Sequence, residues 1–525
     1  MKAFLSLINQ ARGKRLAPRF GAGRHRALFV VGAISIAVSM AVMTGTSQAQ
    51  ISDEADGFQD LAGLRFGISV TDLEGNVLVA HRADERFVPA SNAKLFVTAA
   101  ALASETELTA LDPALRVVSE RGETALPTLA LIGRGDPTVG YGEECEARCI
   151  ETLAEAVAAS GITEVGDIVG DDRWFADERR PLGWNWDDLK FGHATSISAI
   201  AVNESIVSLK VSPSTKVGGG VRAAWVDEGP NFFDLENEAR TSASDASMAL
   251  RLERRIGENK ARLYGELPSG SRAITLDLGV DDPAYLAAWY FRQALQAEGV
   301  SVSGKLRTRR RPLQYADEPV PTDQNDPDAQ LRCTKQGKST ANDAVIAALD
   351  PAPIREIVFD VNRDSQNLYA EVLLRQLGRT AGTGSSFCGR LQIQKFLEGI
   401  GVPRTAFDIA DGSGLSNYNR ATPAAITALL SHAAKAPWGK AYKASLPVGG
   451  DPAGTLKYRF RGTALEGKIF AKTGSLNHVD ALSGYMQARS GKTLVFSVIV
   501  NDRPVDSPSA RNAIDSTLVS IAEQY

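Results

Sequence analysis

Ser91-Asn92-Ala93-Lys94, followed by Ser365-Gln366-Asn367 and then by Lys472-Thr473-Gly474, is the part of this 525-residue chain that decides its fold. A serine one helical turn before a lysine sets a hydroxyl and an amine on one face, a nucleophile beside a base. Ser365 and Asn367, two apart, offer a proton relay and an amide contact. Lys472, Thr473 and Gly474 offer a cation, a hydroxyl and a flat backbone suited to a substrate carboxylate. Together they make one acyl-transfer machine. Ser91/Lys94 is the only Ser-x-x-Lys in the chain and Lys472-Thr473-Gly474 the only Lys-Thr-Gly. Ser-x-Asn recurs at Ser475-Leu476-Asn477, so order selects Ser365. A lone Ser-x-x-Lys reads as a helix start with serine as N-cap. The ordered trio is what points to chemistry.

The flanks fit. Residues 66–71 alternate like a strand, Glu74-Gly75-Asn76 can turn, and residues 77–80 return. Pro89-Ala90 leads into Ser91, and Leu95, Phe96, Ala99, Ala100 and Leu102 form an apolar stripe. Ser91 therefore opens a buried helix whose N-terminus favours developing negative charge. Residues 481–488 and 493–500 read as strands around Ser490-Gly491, and residues 514–524 as a closing helix. The expected fold is α+β: an antiparallel sheet flanked by terminal and central helices.

Residues 1–49 look like an export signal. Lys2, Arg12, Lys14, Arg15, Arg19, Arg24 and Arg26 precede an apolar run over residues 27–43, and Ser47-Gln48-Ala49 is a small-x-small cleavage site. An uncleaved anchor is the alternative, but the run is short and contains Gly32, Ser35 and Ser39. Cleavage near Ala49 gives a periplasmic chain with no stable membrane span. The full chain has 58 basic and 62 acidic residues; the leader takes seven basic and no acidic ones, leaving a net charge of −11. That argues against a nucleic-acid partner. The four cysteines suit an exported protein. Cys145 with Cys149 and Cys333 with Cys388 is one of three pairings they allow. Cys145 and Cys149 have no His-rich neighbour, and His25, His81, His193, His432 and His478 show no metal spacing, so neither metal nor cofactor is expected.

About 270 residues separate Ser91 from Ser365, against 107 between Ser365 and Lys472. A compact transferase does not need the first gap. Residues 52–110 and 341–525 are read as one domain built from both ends, and the stretch between as insertions. Residues 111–205 and 268–340 form the first. In it residues 129–132 and 165–169 are strands, residues 133–138 a turn, residues 149–160 and 281–299 helices, and residues 312–340 a loop. Residues 206–267 form a small β-rich subdomain.

The chain resembles the class C low-molecular-mass penicillin-binding proteins, the serine D-Ala-D-Ala carboxypeptidase/endopeptidase family. The resemblance lies in Pro89-Ala-Ser-Asn-Ala-Lys94, Gly135-Asp-Pro-Thr138, Asp364-Ser-Gln-Asn-Leu-Tyr-Ala-Glu371, Asp411-Gly-Ser-Gly-Leu-Ser416, Leu446-Pro-Val-Gly-Gly450 and Ala471-Lys-Thr-Gly-Ser-Leu476. It implies a penicillin-recognising transpeptidase-like domain with two inserted domains, acting on peptidoglycan stem peptides and acylated by β-lactams. It also implies roles. Ser91 is the nucleophile and Lys94 the base, provided that burial and neighbouring positive charge, which Lys472 could provide, lower the Lys94 pKa. Ser365 relays a proton to the departing D-alanine. Asn367 orients Lys94 and holds the peptide. Lys472 and Thr473 bind the terminal carboxylate. The N–H groups of Ser91 and Ser475 form the oxyanion hole. Gly474 and Asn477 contact substrate. Asp171 matches the acidic position of a diaminopimelate pocket, although an aspartate at a strand end is equally a turn residue. Asn417 stands where relatives often carry arginine, and Asn477 where some carry glutamine.

Trp184 and Trp186 could stack on sugar, although packing accounts for them as well. Asp411-Gly412-Ser413-Gly414 reads as a tight turn beside the site. The function expected is a serine-type D-alanyl-D-alanine carboxypeptidase with D,D-endopeptidase action. The competing readings are a β-lactamase or esterase, for which no deacylation device stands out, and a non-hydrolytic β-lactam or cell-wall binder. The oligomeric state is not legible.

Overall fold

The computed structural model describes residues 63–122, 125–226, 232–323, 325–326, 330–334, 344–504 and 509–525. The expected leader, residues 1–49, lies outside them. Arg65–Asp72 forms a strand, turns at Gly75, and pairs with Val77–His81. Gly75 has φ +95°, a conformation that glycine adopts without strain. The other edge of Arg65–Asp72 pairs along its whole length with Thr493–Asn501, which pairs with Val479–Gln487, which pairs with Ile469–Leu476. The result is a five-stranded antiparallel sheet made from both ends of the described chain.

The two central strands are buried on both faces, and their alternation sorts the core into two layers. Ala481, Tyr485, Val495 and Ile499 join the core around Lys94–Ala103 and Pro423–Lys435. Leu482, Met486, Phe496 and Val498 pack with Ile514, Leu518 and Ile521 of the terminal helix Ser509–Gln524.

The helix carrying the first motif begins as a 3₁₀ turn, Ala90–Ala93, and becomes α-helical over Lys94–Ala103. It is buried all round, with Val97, Thr98 and Ala101 covered as well as the expected stripe. The cause is position: the helices Ile354–Arg363, Asn367–Ala381, Ser386–Gly399 and Pro423–Lys435 all touch it, while the turn before it meets the sheet. Asn92, inside the motif, is an anchor. Its amide donates to Ser483 Oγ at 2.7 Å and ties the turn to the sheet.

The intervening region has its own five-stranded sheet, in the order Leu306–Arg309, Ile168–Asp171, Thr128–Ile132, Arg116–Glu120 and Ala344–Ala348. Helices Ile150–Ala159 and Pro283–Ala297 build a separate core with it. Three sequence boundaries move. Ala344–Ala348 pairs with Arg116–Glu120, so the return to the catalytic half comes after Ala348 rather than at 341. Ile274–Gly279 pairs with Ile206–Ser212, carrying the β-rich part past 267. Residues 165–169 split into Glu164–Val165 and Ile168–Asp171, in two different sheets.

The expected turn at 133–138 becomes a strand, Asp136–Val139, parallel to Ile200–Val202. Asp136 is almost fully buried and accepts from Thr138 N and from Ala352 N, fixing this segment to the catalytic half. Disulfides join Cys145 to Cys149 and Cys333 to Cys388, the pairing considered from sequence. Among the described residues no helix is long and apolar enough to cross a membrane.

Candidate active site

The strand Ile469–Leu476 lies against the turn Ala90–Ala93. Glycine at position 474 permits it: a Cβ there would stand 2.8 Å from the Pro89 carbonyl oxygen and 3.1 Å from Ser91 N. The approach brings Ser91, Ser365, Asn367 and Ser475 onto one cleft of about 460 Å³, which Asn185, Asp188, His193, Asn477 and Arg503 also line.

Lys94 is fully buried at the cleft floor. Its Nζ lies 2.9 Å from Ser91 Oγ and donates to Asn367 Oδ1 at 2.6 Å and to the carbonyl oxygen of Ser413. Burial lowers its pKa to about 7, against the pull of Asp411 and Glu371, whose negative charges act to raise it. The positive charge of Lys472, expected from sequence to do this, is not the cause. A neutral amine has two N–H groups and one lone pair. Asn367 and Ser413 take the two N–H groups, so the lone pair is left for the Ser91 hydroxyl.

Lys472 is likewise buried; its Nζ donates to Ser365 Oγ at 2.8 Å and to the Thr473 carbonyl at 3.1 Å. Burial first, and the Lys94 charge second, hold its pKa well below the ordinary lysine value. Asn367 Nδ2 donates to the His193 carbonyl at 2.7 Å, so the amide is held at both ends. Ser365 sits in the left-handed region at φ 63°, a strained backbone for serine, one residue before Gln366, the N-cap of the helix Asn367–Ala381. Thr473 Oγ1 lies 2.9 Å from Thr455 Oγ1.

The groups that hold Ser413 were not identified as site residues from sequence. Glu371 Oε1 accepts from the N–H groups of Gly412 and Ser413, both at 2.9 Å, while Oε2 pairs with Arg375 at 3.1 Å. Asp411 accepts from the N–H groups of Gly414 and Ser416 and from Trp184 Nε1. The tight turn expected at 411–414 therefore points a carbonyl at the Lys94 amine. A signal was present: Asn367, Glu371 and Arg375 recur every four residues, one face of a helix. Asp188, His193 and Arg503 also escaped notice as cleft residues. No motif marks them.

Asp171 is not brought to this cleft. Its carboxylate is almost fully buried at the end of Ile168–Asp171 and receives Arg173 Nε at 2.9 and 3.0 Å. The bonds from Arg173 suit the turn reading, one of the two that the sequence offers for it. Trp184 packs through its bond to Asp411, whereas Trp186 is 76% exposed. Asn417 donates to Asn185 Oδ1 at 2.8 Å, across the join between the inserted and catalytic parts.

A serine hydroxyl 2.9 Å from a buried lysine amine, beside Ser-x-Asn and a Lys-Thr-Gly strand, is the motif set of the penicillin-recognising acyl-transfer proteins. The chain belongs to the D-Ala-D-Ala carboxypeptidase 3 (S13) family, whose pattern matches residues 47–327 and 328–525. It is 32% identical to the D-alanyl-D-alanine carboxypeptidase of Actinomadura sp., over 98% of this chain and 93% of that protein. It is 22% identical to the D-alanyl-D-alanine carboxypeptidase DacB of Haemophilus influenzae, over 70% of each. The crystal structure of penicillin binding protein 4 from Haemophilus influenzae shares the fold, with a TM-score of 0.70 at 21% identity over 89% of this chain and 98% of that one. The family, the penicillin-recognising α+β fold and the serine D-Ala-D-Ala carboxypeptidase class expected from sequence are borne out.

Proposed function

We propose that this chain is exported to the periplasm, loses its leader near Ala49, and there removes the terminal D-alanine from peptidoglycan stem peptides and cuts D,D cross-links between them. The observation that carries the reading is the Lys94 amine, buried and 2.9 Å from Ser91 Oγ, with both N–H groups already directed elsewhere. Ser91 Oγ attacks the carbonyl of the penultimate D-alanine as its proton passes to Lys94. Backbone N–H groups of Ser91 and Ser475 receive the oxyanion. Lys472 and Thr473 hold the terminal carboxylate, whose charge favours the protonated lysine that burial otherwise opposes.

Ser365, bonded to Lys472, passes a proton to the leaving amine, and the C–N bond breaks. Water then cleaves the ester and restores Ser91. Gly474 gives the strand its close approach, and Asn367 and Asn477 line the path of the peptide. A β-lactam is attacked in the same way, but its amine stays tethered to the acyl group, so the ester persists.

The test is incubation of the purified protein with a muropeptide pentapeptide and, separately, with benzylpenicillin. Release of one D-alanine per stem, loss of release in Ser91→Ala, and a long-lived penicilloyl ester on the Ser91 peptide are expected. Rapid turnover of penicillin without D-alanine release would make it a β-lactamase. Retained wall binding with no hydrolysis of either substrate would make it a binder.

A further inference from the structure

A second cavity, of about 740 Å³, shares no lining residue with the cleft of Ser91. Its apolar wall includes Leu182, Leu313, Phe387, Leu391 and Ile409. Charged side chains line it too, and nearly all are already engaged. Asp177 pairs with Arg179, Arg180 with Asp281, Arg404 with Asp408, and Arg375 with Glu371. Glu178 directs both carboxylate oxygens at Ser386, one to its N–H and one to its hydroxyl.

Arg390 is the exception. It has no hydrogen bond or ion pair among the described residues, and its Nε is buried without a partner. Its guanidinium lies 4.3 Å from the centre of the Phe387 ring. Three carboxylates share the chamber, but Asp177 and Asp408 are paired with other arginines, and Glu178, whose charge acts on Arg390, directs its oxygens at Ser386. The Arg390 guanidinium thus keeps its donors free, and a planar carboxylate is the group that matches their fork. The volume suits a small organic molecule.

We propose that this cavity is a second binding site, which takes a small monocarboxylate with an apolar body. The carboxylate pairs with Arg390, and the body lies against Phe387, Leu391 and Leu182. Arg375 and Arg404 are not the anchors, because each already has a carboxylate.

The test is calorimetric titration of the full protein with N-acetyl-L-phenylalanine and with its uncharged amide, N-acetyl-L-phenylalaninamide. The protein is first treated with benzylpenicillin to block the catalytic cleft, and the free drug, itself a monocarboxylate, is removed before titration. The comparison is repeated on untreated Ser91→Ala protein, and in both the Arg390 variants assign the binding to this cavity. The acid is expected to bind about tenfold more tightly than the amide. Arg390→Gln is expected to lose that preference and Arg390→Lys to keep part of it, with thermal melts showing both variants folded. Equal binding of acid and amide, no binding of either up to about 10 mM, or a preference that survives in Arg390→Gln overturns the proposal.

Discussion

In the proposed mechanism Lys94 must be neutral to accept the Ser91 proton, and its pKa of about 7 sets where that happens. Below that pH the amine is charged and has no lone pair to offer. The rate of acylation by benzylpenicillin is therefore expected to rise through pH 7 and level off above it, which stopped-flow measurement from pH 5 to 9 checks. Lys94→Ala should lower the plateau by roughly 10²–10⁴-fold, the usual worth of a positioned base. Glu371 carries a negative charge that raises the Lys94 pKa. Glu371→Gln should therefore move the rising limb to lower pH, while a merely structural loss would lower the plateau without moving the limb. Gly474→Ala should slow acylation by pushing the strand off Ser91 N, with a smaller effect on the melting temperature. That Ser91, Lys94, Lys472 and Asn367 would come together was legible because each is a side chain with its own chemistry at a fixed spacing. The Ser413 carbonyl was not, because every residue has one and only the fold aims it.

Elements were legible where a period ran long enough. The hairpin over Arg65–Asp72 and Val77–His81, the strands Val479–Gln487 and Thr493–Asn501, and the helix Pro283–Ala297 all lie close to the bounds read from alternation or helical spacing. Asp136–Val139 was read as a turn because it is four residues long and holds a proline and an aspartate. Its strand character comes from Ile200–Val202, some sixty residues away, and local sequence carries no trace of that. The helix Lys94–Ala103 showed a stripe in sequence but is covered on every side, since alanine and threonine are small enough to admit neighbours anywhere. The bridge from Cys333 to Cys388 fastens a short strand region to the helix Ser386–Gly399 across 55 residues. Replacing both cysteines by serine should cost about 4 kcal/mol of stability on the loop-entropy model, read as a lower denaturant midpoint. The penicillin acylation rate in native buffer should be unchanged, as neither cysteine lines the catalytic cleft.

For the molecule as a whole, the unequal spacing of the motifs pointed to long-range closure, and one sheet does draw strands from both ends of the described chain. The boundaries were less legible: Ala344–Ala348 has no feature that tells which of two sheets it will join. The pairing of Arg65–Asp72 with Thr493–Asn501 joins segments roughly 430 residues apart. A protein truncated after residue 488 keeps all three motifs but loses that strand and the helix Ser509–Gln524. It should fail to label with fluorescent penicillin, and labelling at the wild-type rate would show that the motifs assemble without the sheet. Such long-range closure is slow to form. On the proposed export route it would also act as a timer. A chain threading through a secretion pore amino end first would present its serine hundreds of residues before the partner strand arrived. The hydrolase would stay silent in transit and switch on only when the last few dozen residues had cleared the membrane, on the side where its polymer lies.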